Sequence, residues 1–395
     1  ETTPLIDRDD YLLSKADLNW IFTDSSLNTS VKLFENLSAS KNDRYTFVLP
    51  DFNFVKQISL PENYEGSFNF NSYGNVKNYN TNITDAKITN DFLFESYEYI
   101  NSSGISTNYN ILIKNYNYYA NENSNVDDDR IYDLTGVIKI ESALPLQKRM
   151  ENYTNLLKPI VSLRYSPNGN SDLSNNNTLL DYNSVFGLNR LGSSSETEGG
   201  GSLSLGLEFN RKKSSGFEIF DFKVANVLRA DEDYRLPKRS KLNKTRSDIF
   251  GNLRYNFNDN INLGYFFSYD RDLKYSNLDG LDLQFNINNF ASKFEYYSEK
   301  NDLEDKENIK NKSSYRINAD NSLNFAITKD LNDDYTQFYD LIYNYQTDCI
   351  SIDLNYKKSF YRDGNVEPTQ SLSFLVRIIP FNEFGVPNLG NVIGY

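Results

Sequence analysis

The sequence predicts an all-β chain that forms a large antiparallel transmembrane β-barrel of about 18–20 strands. The first observation behind this prediction is an asymmetry between short turns and long polar connections, which is typical of barrels with short periplasmic turns and long extracellular loops. The short turns are Asn258-Asp259-Asn260, Asn288-Asn289, Asp320-Asn321 and Thr347-Asp348. The long connections run from Arg229 to Arg246 and from Ser298 to Ser314.

The second observation is strict alternation of apolar and polar residues, which is clearest at 281–288 and recurs at 202–209, 261–269, 350–357 and 372–378. A soluble β-sandwich alternates in the same way. The unbroken repetition favours a barrel, because open sheets rarely exceed about ten strands. We then expect the polar face to line a wet lumen. The lumen-facing candidates are Ser202, Ser204, Glu208, Asp282, Gln284, Asn286, Asp353, Asn355 and Lys357.

The N-terminal half alternates less regularly. The segment from Lys15 to Phe22 fits either a short helix or a strand, and Ser166–Leu180 reads as an exposed connection. No domain boundary is evident, so residues 1–395 are predicted to form a single barrel domain. The strands predicted in this half are Tyr45–Phe54, Gly66–Tyr73, Lys87–Tyr97, Thr107–Tyr118, Ile131–Ala143, Pro159–Tyr165 and Tyr182–Asn189.

Composition excludes several functions. The net charge of -13 disfavours binding to nucleic-acid phosphates. The chain has no histidine and one cysteine, which removes His-dependent triads, His metal sites and any disulfide within the chain. We therefore predict no catalytic residue, no metal site and no cofactor. The mean hydropathy is -0.62. The sequence contains no apolar run of about 20 residues, which a transmembrane helix would need.

Several stretches resemble the lipopolysaccharide (LPS) assembly family of outer-membrane proteins, also called the organic-solvent-tolerance family. The first is Arg44–Pro50, and the second runs from Leu157 through Pro167. The third, Phe186–Gly192 followed by Gly199–Gly201, is similar to an Asn-Arg-aromatic-Ser-Gly loop and the strand after it. The fourth is Asp348-Cys349-Ile350 with the closing strand Ser371–Pro380. Together they follow the family's order along nearly the whole chain.

The resemblance implies transport of LPS into the outer leaflet of a Gram-negative outer membrane, through a polar lumen and a lateral gate between the first and last strands. It also implies a lipoprotein plug and periplasmic jelly-roll bridge proteins as partners. One lip of the gate is then the last strand: Ser371, Leu372, Ser373, Phe374, Leu375, Val376, Arg377, Ile378, Ile379 and Pro380. A passive outer-membrane channel or nutrient receptor is the alternative on the same scaffold.

Two departures from the family pattern matter. The family often has two adjacent cysteines where this chain has Cys349 and Ile350. By resemblance, Cys349 is expected to form a disulfide to a periplasmic domain. The chain begins Glu1-Thr2-Thr3-Pro4, without an initiator methionine, and we expect it to be a fragment that lacks this domain and the first strands.

Overall fold

A computed structural model describes residues 11–37, 44–61, 64–79, 83–121, 130–174, 176–193, 195–300, 305–332, 334–360, 369–378 and 382–384. These residues are β-strands and connections, with one short α-helix and one 3-10 helix, Lys238–Ser240. In chain order the elements are β1 (Tyr11–Ile21), β2 (Ser25–Asn36), β3 (Tyr45–Ile58), β4 (Gly66–Tyr79), β5 (Ile83–Ser96), β6 (Tyr99–Ile100), β7 (Ser106–Asn121), β8 (Arg130–Ala143), β9 (Leu146–Arg149), β10 (Tyr153–Ser166), α1 (Tyr182–Val185), β11 (Gly200–Lys213), β12 (Glu218–Arg229), β13 (Ile249–Asn258), β14 (Ile261–Tyr269), β15 (Ser276–Ile287), β16 (Phe290–Glu299), β17 (Lys306–Arg316), β18 (Asn321–Asp330), β19 (Tyr335–Gln346), β20 (Ile350–Ser359), β21 (Thr369–Ile378) and β22 (Asn382–Phe384).

The chain divides into two compact units. Unit 1 comprises Glu1–Pro145, Ile160–Leu205 and Val227–Arg246. In it, β1 to β5 pair antiparallel in sequence order, β5 pairs with β7, and β7 pairs with β8. The short strand β6 also pairs with β7, and the second half of β10 lies against β8, with Arg164 opposite Lys139.

Unit 2 comprises Leu146–Pro159, Gly206–Asn226 and Ser247–Tyr395. Here β9 pairs with the first half of β10, and β12 pairs with β13. From β13 to β22 each strand pairs antiparallel with the next. The prediction that residues 1–395 form one domain stays a prediction.

The all-β, antiparallel fold class is confirmed. Leaving aside the two-, three- and four-residue strands β6, β22 and β9, 19 strands are described, within the predicted number. The segment from Lys15 to Phe22 lies in β1 except for Phe22, and the turns at 258–260 and 288–289 join consecutive strands as predicted. The sequence signal was therefore most reliable where alternation ran uninterrupted into an Asn-rich turn.

Two predicted segments are wrong. Residues 182–189 are not a strand, because Asp181 caps a helical turn: its carboxylate accepts a hydrogen bond from the Ser184 backbone N–H at 2.7 Å. The predicted long connection at 298–314 is mostly β17, which starts at Lys306 and pairs with both β16 and β18. Its polar residues hide the alternation, and pairing on both edges fixes it as a strand.

Pro50 lies inside β3, where a proline would normally interrupt the ladder. The register of β3 shifts there against both neighbours: between Ser30 and Lys32 on the β2 side, and between Val48 and Asp51 on the β4 side. The strand irregularity therefore accommodates the missing N–H. The Leu49-Pro50 end of the motif Arg44–Pro50 is therefore compatible with a strand that pairs on both edges, with β2 and β4.

The apolar face of the strands is exposed and the polar face is buried, which is the reverse of a water-soluble sheet. On β10, Leu163 and Tyr165 are each 56% exposed, whereas Ser162 and Arg164 between and beside them are at most 4% exposed. β8 shows the same inversion, with Ile140 exposed and Lys139 buried. Water-soluble proteins bury apolar side chains and expose charged ones. The exposed apolar face is therefore suited to lipid.

None of the described helices is long and apolar enough to cross a membrane.

An arginine placed on each face of β20 tests this orientation. Leu354 is exposed in the middle of the apolar face. We expect Leu354→Arg to destabilise the protein folded in lipid bilayers by about 2–4 kcal/mol. Asn355→Arg, the adjacent position on the polar face, should change it by less than about 0.5 kcal/mol. The measurement is urea-dependent folding into phospholipid vesicles. Equal effects of the two substitutions would contradict the assignment of the faces.

Candidate functional site

The polar face of β8 and β10 in unit 1 is covered by the connection between β10 and β11, residues 167–199, here called the first connection. Its residues 175 and 194 lie outside the described part. Strand cations bond to its backbone: Lys139 Nζ donates to Phe186 O at 2.8 Å, and Arg164 Nε donates to Leu188 O at 2.9 Å. The predicted exposure of Ser166–Leu180 is wrong for Ser166, Asn170 and Leu180, which are buried. The alternation of apolar and polar residues did not predict that charged strand residues would hold this connection in place.

A second connection, residues 230–246 between β12 and β13, packs against the first. Leu173 N donates to Arg235 O at 2.7 Å. Asn170 bridges the two: its Nδ2 donates to Asp233 Oδ2 at 2.8 Å, and its Oδ1 accepts from Gly199 N at 2.7 Å. The side-chain hydrogen bond from Arg235 is the main cause that lowers the pKa of Asp233 to about 2. Asp233 is therefore ionised at neutral pH, and it strengthens these hydrogen bonds.

The centre of this polar layer is Glu198, which is completely buried in the first connection. Arg190 grips it in a bidentate pair, with Nε–Oε2 and Nη2–Oε1 distances of 2.7 Å. Arg229, at the end of β12, donates from Nη1 to Glu198 Oε1 and from Nη2 to Gly199 O at 2.9 Å. Arg164 Nη1 lies 3.8 Å from Glu198 Oε2. We call these four residues the arginine cluster.

Glu198 stays ionised despite its burial. Burial raises the pKa of its carboxyl, but the charges of Arg190, Arg164 and Arg229 and the hydrogen bond from Arg190 lower it by more, so the pKa lies below its usual value. A buried carboxylate surrounded by guanidinium groups fixes the positions of the elements that carry them. The cluster therefore ties the first connection to β10 and β12.

Two predicted lumen-facing residues, Ser202 and Ser204, belong to this layer. Both are buried on β11, and Arg190 donates to Ser202 Oγ at 2.6 Å and to Ser204 Oγ at 3.4 Å. Ser204 in turn donates to Val185 O at 3.2 Å, at the end of α1. In this structure they bond to the chain itself, and their prediction as lining of a wet lumen is untested.

The remaining lumen-facing candidates lie in unit 2 and are less buried. Glu208 Oε2 lies 3.7 Å from Lys158 Nζ, and Asp282 is half-buried. Gln284 and Asn286, toward the end of β15, are exposed. Asn355 and Lys357 are half-buried on β20.

Asp353 connects β20 to the last long strand. Asn344 Nδ2 donates to Asp353 Oδ1, and Arg377 Nη1 of β21 donates to Asp353 Oδ2 at 2.8 Å. β21 pairs with β20 over ten residues, with Leu354 opposite Phe374. Of the predicted gate strand, residues 371–378 are in β21, and Ile379 and Pro380 lie outside the described residues.

A polar cavity of about 520 Å³ lies on β1 to β5 in unit 1. Four of its five charged residues form ion pairs: Lys15 with Asp17 at 2.9 Å, and Lys32 with Asp51; the fifth is Lys87. Amide and hydroxyl side chains complete it, among them Asn28, Ser30, Asn53, Asn71, Asn75 and Thr89, with Phe52 and Tyr73 as aromatic walls. Sequence reasoning missed this cavity, because its residues come from five strands that are far apart in the sequence.

Cys349 is exposed in the turn between β19 and β20. Its backbone N–H and that of Ile350 both bond to Thr347 Oγ1, at 3.4 and 3.2 Å. The side chain is thus accessible to a partner thiol. Its disulfide stays a prediction. Among the described residues, no group of three His, Cys, Asp or Glu side chains could hold a metal ion.

These strands, with apolar side chains outward and charged ones buried, are those of an outer-membrane β-barrel protein. A family model described as "LptD: LPS transport system D" matches residues 6–331. The chain belongs to this family, which is a family of LPS transport and assembly proteins of the Gram-negative outer membrane. The match confirms the resemblance and the localisation. It ends before β19, so Cys349 and β21 lie outside it.

Solved structures similar to this chain include two siderophore receptors named PirA. The one from Pseudomonas aeruginosa has a TM-score of 0.45 and 7% identity, and the one from Acinetobacter baumannii 0.43 and 8%; each match covers 93% of this chain and 70% of that chain. The ferric-catecholate import receptor Fiu from E. coli K12 has a TM-score of 0.42 and 9% identity over 93% of this chain and 71% of its own. TM-scores this low carry no argument about this chain. No curated protein matches it.

The charge of Glu198 is the feature to test. We expect Glu198→Gln to destabilise the chain by about 3–5 kcal/mol at pH 7, because it leaves three buried guanidinium groups without their carboxylate. The folded-state pKa of Glu198 is lowered, so its contribution is complete above about pH 5 and declines as pH falls through the acid range. The difference between wild type and variant should shrink accordingly.

The measurement is urea unfolding in uncharged detergent, followed by the fluorescence of the single tryptophan, Trp20. Glu208→Gln is the matched control, because its partner Lys158 is 3.7 Å away and both are partly exposed. It should cost less than about 1 kcal/mol. Equal costs for the two substitutions, or a difference that grows at low pH, would contradict the role of Glu198.

Proposed function

We propose that this chain moves LPS to the outer leaflet by passing its saccharide along the polar face of the strands and releasing its acyl chains sideways between the first and last strands. Family membership supports the transport of LPS in general. The observation that carries the detailed route is the inverted burial of the two faces, with Arg164 buried and Leu163 exposed. A hydrated saccharide and several acyl chains need these two environments at the same time.

The polar cavity on β1 to β5 is a suitable wall for a saccharide. Its volume of about 520 Å³ is lined by amides, hydroxyls and two Lys–Asp pairs, which together offer both donors and acceptors. Tyr73 and Phe52 add flat apolar surface. A sugar ring presents hydroxyl groups at its edge and apolar C–H groups on its face. The polar side chains can therefore bond to its hydroxyl groups, and the aromatic rings can pack against its face.

β21 has the properties of a gate strand. Leu372 and Phe374 are 70% and 62% exposed, compared with 41% for Leu354 on the same face of β20. A separated strand edge in hydrocarbon costs several kcal/mol for each orphaned backbone group. The gate must therefore be paired at rest and open only briefly. The ion pair between Arg377 and Asp353 would keep β21 attached to β20 while its other edge, which β22 pairs only at 376–378, opens.

Partners follow from the same proposal. A lipoprotein plug inside the barrel and a periplasmic bridge of jelly-roll proteins would deliver LPS from the periplasmic side. Exposed Cys349 would tie the barrel to a periplasmic domain through a disulfide. Its position in a short turn supports this, since short turns face the periplasm in such barrels.

Site-specific photo-crosslinking in cells tests the route. A benzophenone amino acid replaces Asn53, which lines the polar cavity, or Ser373 on the polar face of β21. We expect LPS adducts at both positions, because the saccharide passes them. Phe257, exposed beside the short turn after β13, is the control and should give none, since it would face the inner leaflet.

The alternative, a passive channel or nutrient receptor, predicts no LPS adduct at Asn53 or Ser373 and steady ion conductance in planar bilayers. That pair of results would contradict LPS transport. Adducts at Asn53 without adducts at Ser373 would retain the polar route and exclude β21 as the gate.

A further inference from the structure

Three asparagine side chains lie on the apolar face of unit 1, the face suited to lipid. Asn90 of β5 is opposite Asn115 of β7, and Asn115 is opposite Leu134 of β8, which is 64% exposed. Leu134 is on the same side of β8 as exposed Ile140, because residues an even number apart on a strand share a face. Residues opposite each other in a ladder share a face as well. We call Asn90, Asn115 and Asn117 the asparagine patch.

The asparagine patch lies in the middle of the apolar face, between apolar rows that run across β4, β5 and β7. Toward the Ser96 end of β5 these rows are Phe70, Phe92 and Ile113, then Phe68, Phe94 and Ile111. In the opposite direction they are Gly74, Ile88 and Asn117, then Val76, Ala86 and Tyr119. With the row of Asn90 and Asn115 they span about 27 Å along the strands, or about 20 Å across a membrane after tilting, which is within an apolar band about 25 Å tall.

The hydrogen bonds within the patch leave amide groups without partners. Asn90 Nδ2 and Asn117 Nδ2 both donate to Asn115 Oδ1, at 3.2 and 2.6 Å. Within the described part of the chain, the Oδ1 atoms of Asn90 and Asn117 accept no hydrogen bond. All three side chains are only partly buried. An amide oxygen that meets hydrocarbon without a donor is costly, so the patch requires a polar occupant.

The depth of the patch restricts that occupant to protein. Acyl chains have neither donors nor acceptors, and lipid headgroups lie outside the hydrocarbon core. The occupant must therefore bring polar groups into the membrane on a transmembrane segment that satisfies its own backbone. An amide both donates and accepts hydrogen bonds, so the asparagine patch is complementary to another patch of the same kind.

We propose that the asparagine patch is the centre of an interface with a second copy of this chain. A two-fold axis along the membrane normal keeps every residue at its own depth, so each patch meets its copy at the same level of the bilayer. Leu134 and Tyr132, which are 64% and 74% exposed beside the patch, supply apolar packing around the amides. This interface goes beyond the proposed transport of LPS, and its test measures association alone.

Cysteine cross-linking in intact outer membranes tests the interface. Leu134→Cys, in a Cys349→Ser background, places a thiol beside the patch and leaves all three asparagines in place. We expect a short membrane-permeant bismaleimide to give a product of twice the chain's mass, and two differently tagged copies expressed together should both be present in it. Leu354→Cys, on the exposed apolar face of β20, is the control and should give none.

Substitution of the asparagines shows whether their amides hold the two copies together. In the Leu134→Cys background, Asn90→Leu combined with Asn117→Leu should lower the yield of the double-mass product at least about tenfold, because it removes hydrogen bonds from both sides of the interface. This variant should fold, since leucine suits the lipid face; its mobility on an unheated gel checks this. Asn69→Leu, at a half-buried asparagine on the polar face of β4, is the matched control and should leave the yield unchanged.

Three results would overturn the proposal. Equal yields from Leu134→Cys and Leu354→Cys, including no product from either, would exclude an interface at the patch. A product that contains only one of the two tagged copies would identify a different membrane protein as the occupant. An unchanged yield from the folded variant with Asn90→Leu and Asn117→Leu would show that the amides do not hold the copies together.

Discussion

In hydrocarbon, every backbone N–H and C=O must find its partner within the protein, because no water is present to replace it. This requirement explains the long antiparallel ladders of the structure, which pair strand after strand from β13 to β21. It also determines which side chains lie on each face of the sheet. Successive side chains of a strand point to opposite faces of the sheet. When one face meets lipid, every second residue is therefore apolar, and the residues between them form the polar face.

The polar face is where the chain differs from a simple alternating sheet. In unit 1 the polar face of β8 and β10 is covered by the first connection, whose backbone carbonyls accept hydrogen bonds from the strand cations Lys139 and Arg164. Glu198 then holds Arg190 and Arg229 at hydrogen-bonding distance. Burying these two arginines is tolerated because the carboxylate of Glu198 is a hydrogen-bond partner to both.

Sequence reasoning recovered the faces and missed much of the site. Period-two alternation identified β14, β15, β20 and β21 because each of these strands has one clean apolar face. It failed at β17, whose two faces are both polar, and at residues 182–189, where the local cap from Asp181 decides the structure. Glu198 gave no signal, since its partners lie 8, 31 and 34 residues away and meet only in the folded chain. The resemblance did single out Arg164 and Arg190, as motif members without a role.

The central claim is that neighbouring side chains of one strand face lipid and water in turn. Single cysteines along β20, in a Cys349→Ser background and in intact outer membranes, test it through labelling with a membrane-impermeant maleimide. We expect labelling that alternates: fast at 353, 355 and 357, and slow at 352, 354 and 356. Uniform labelling along the strand, or fast labelling at the even positions, would contradict it.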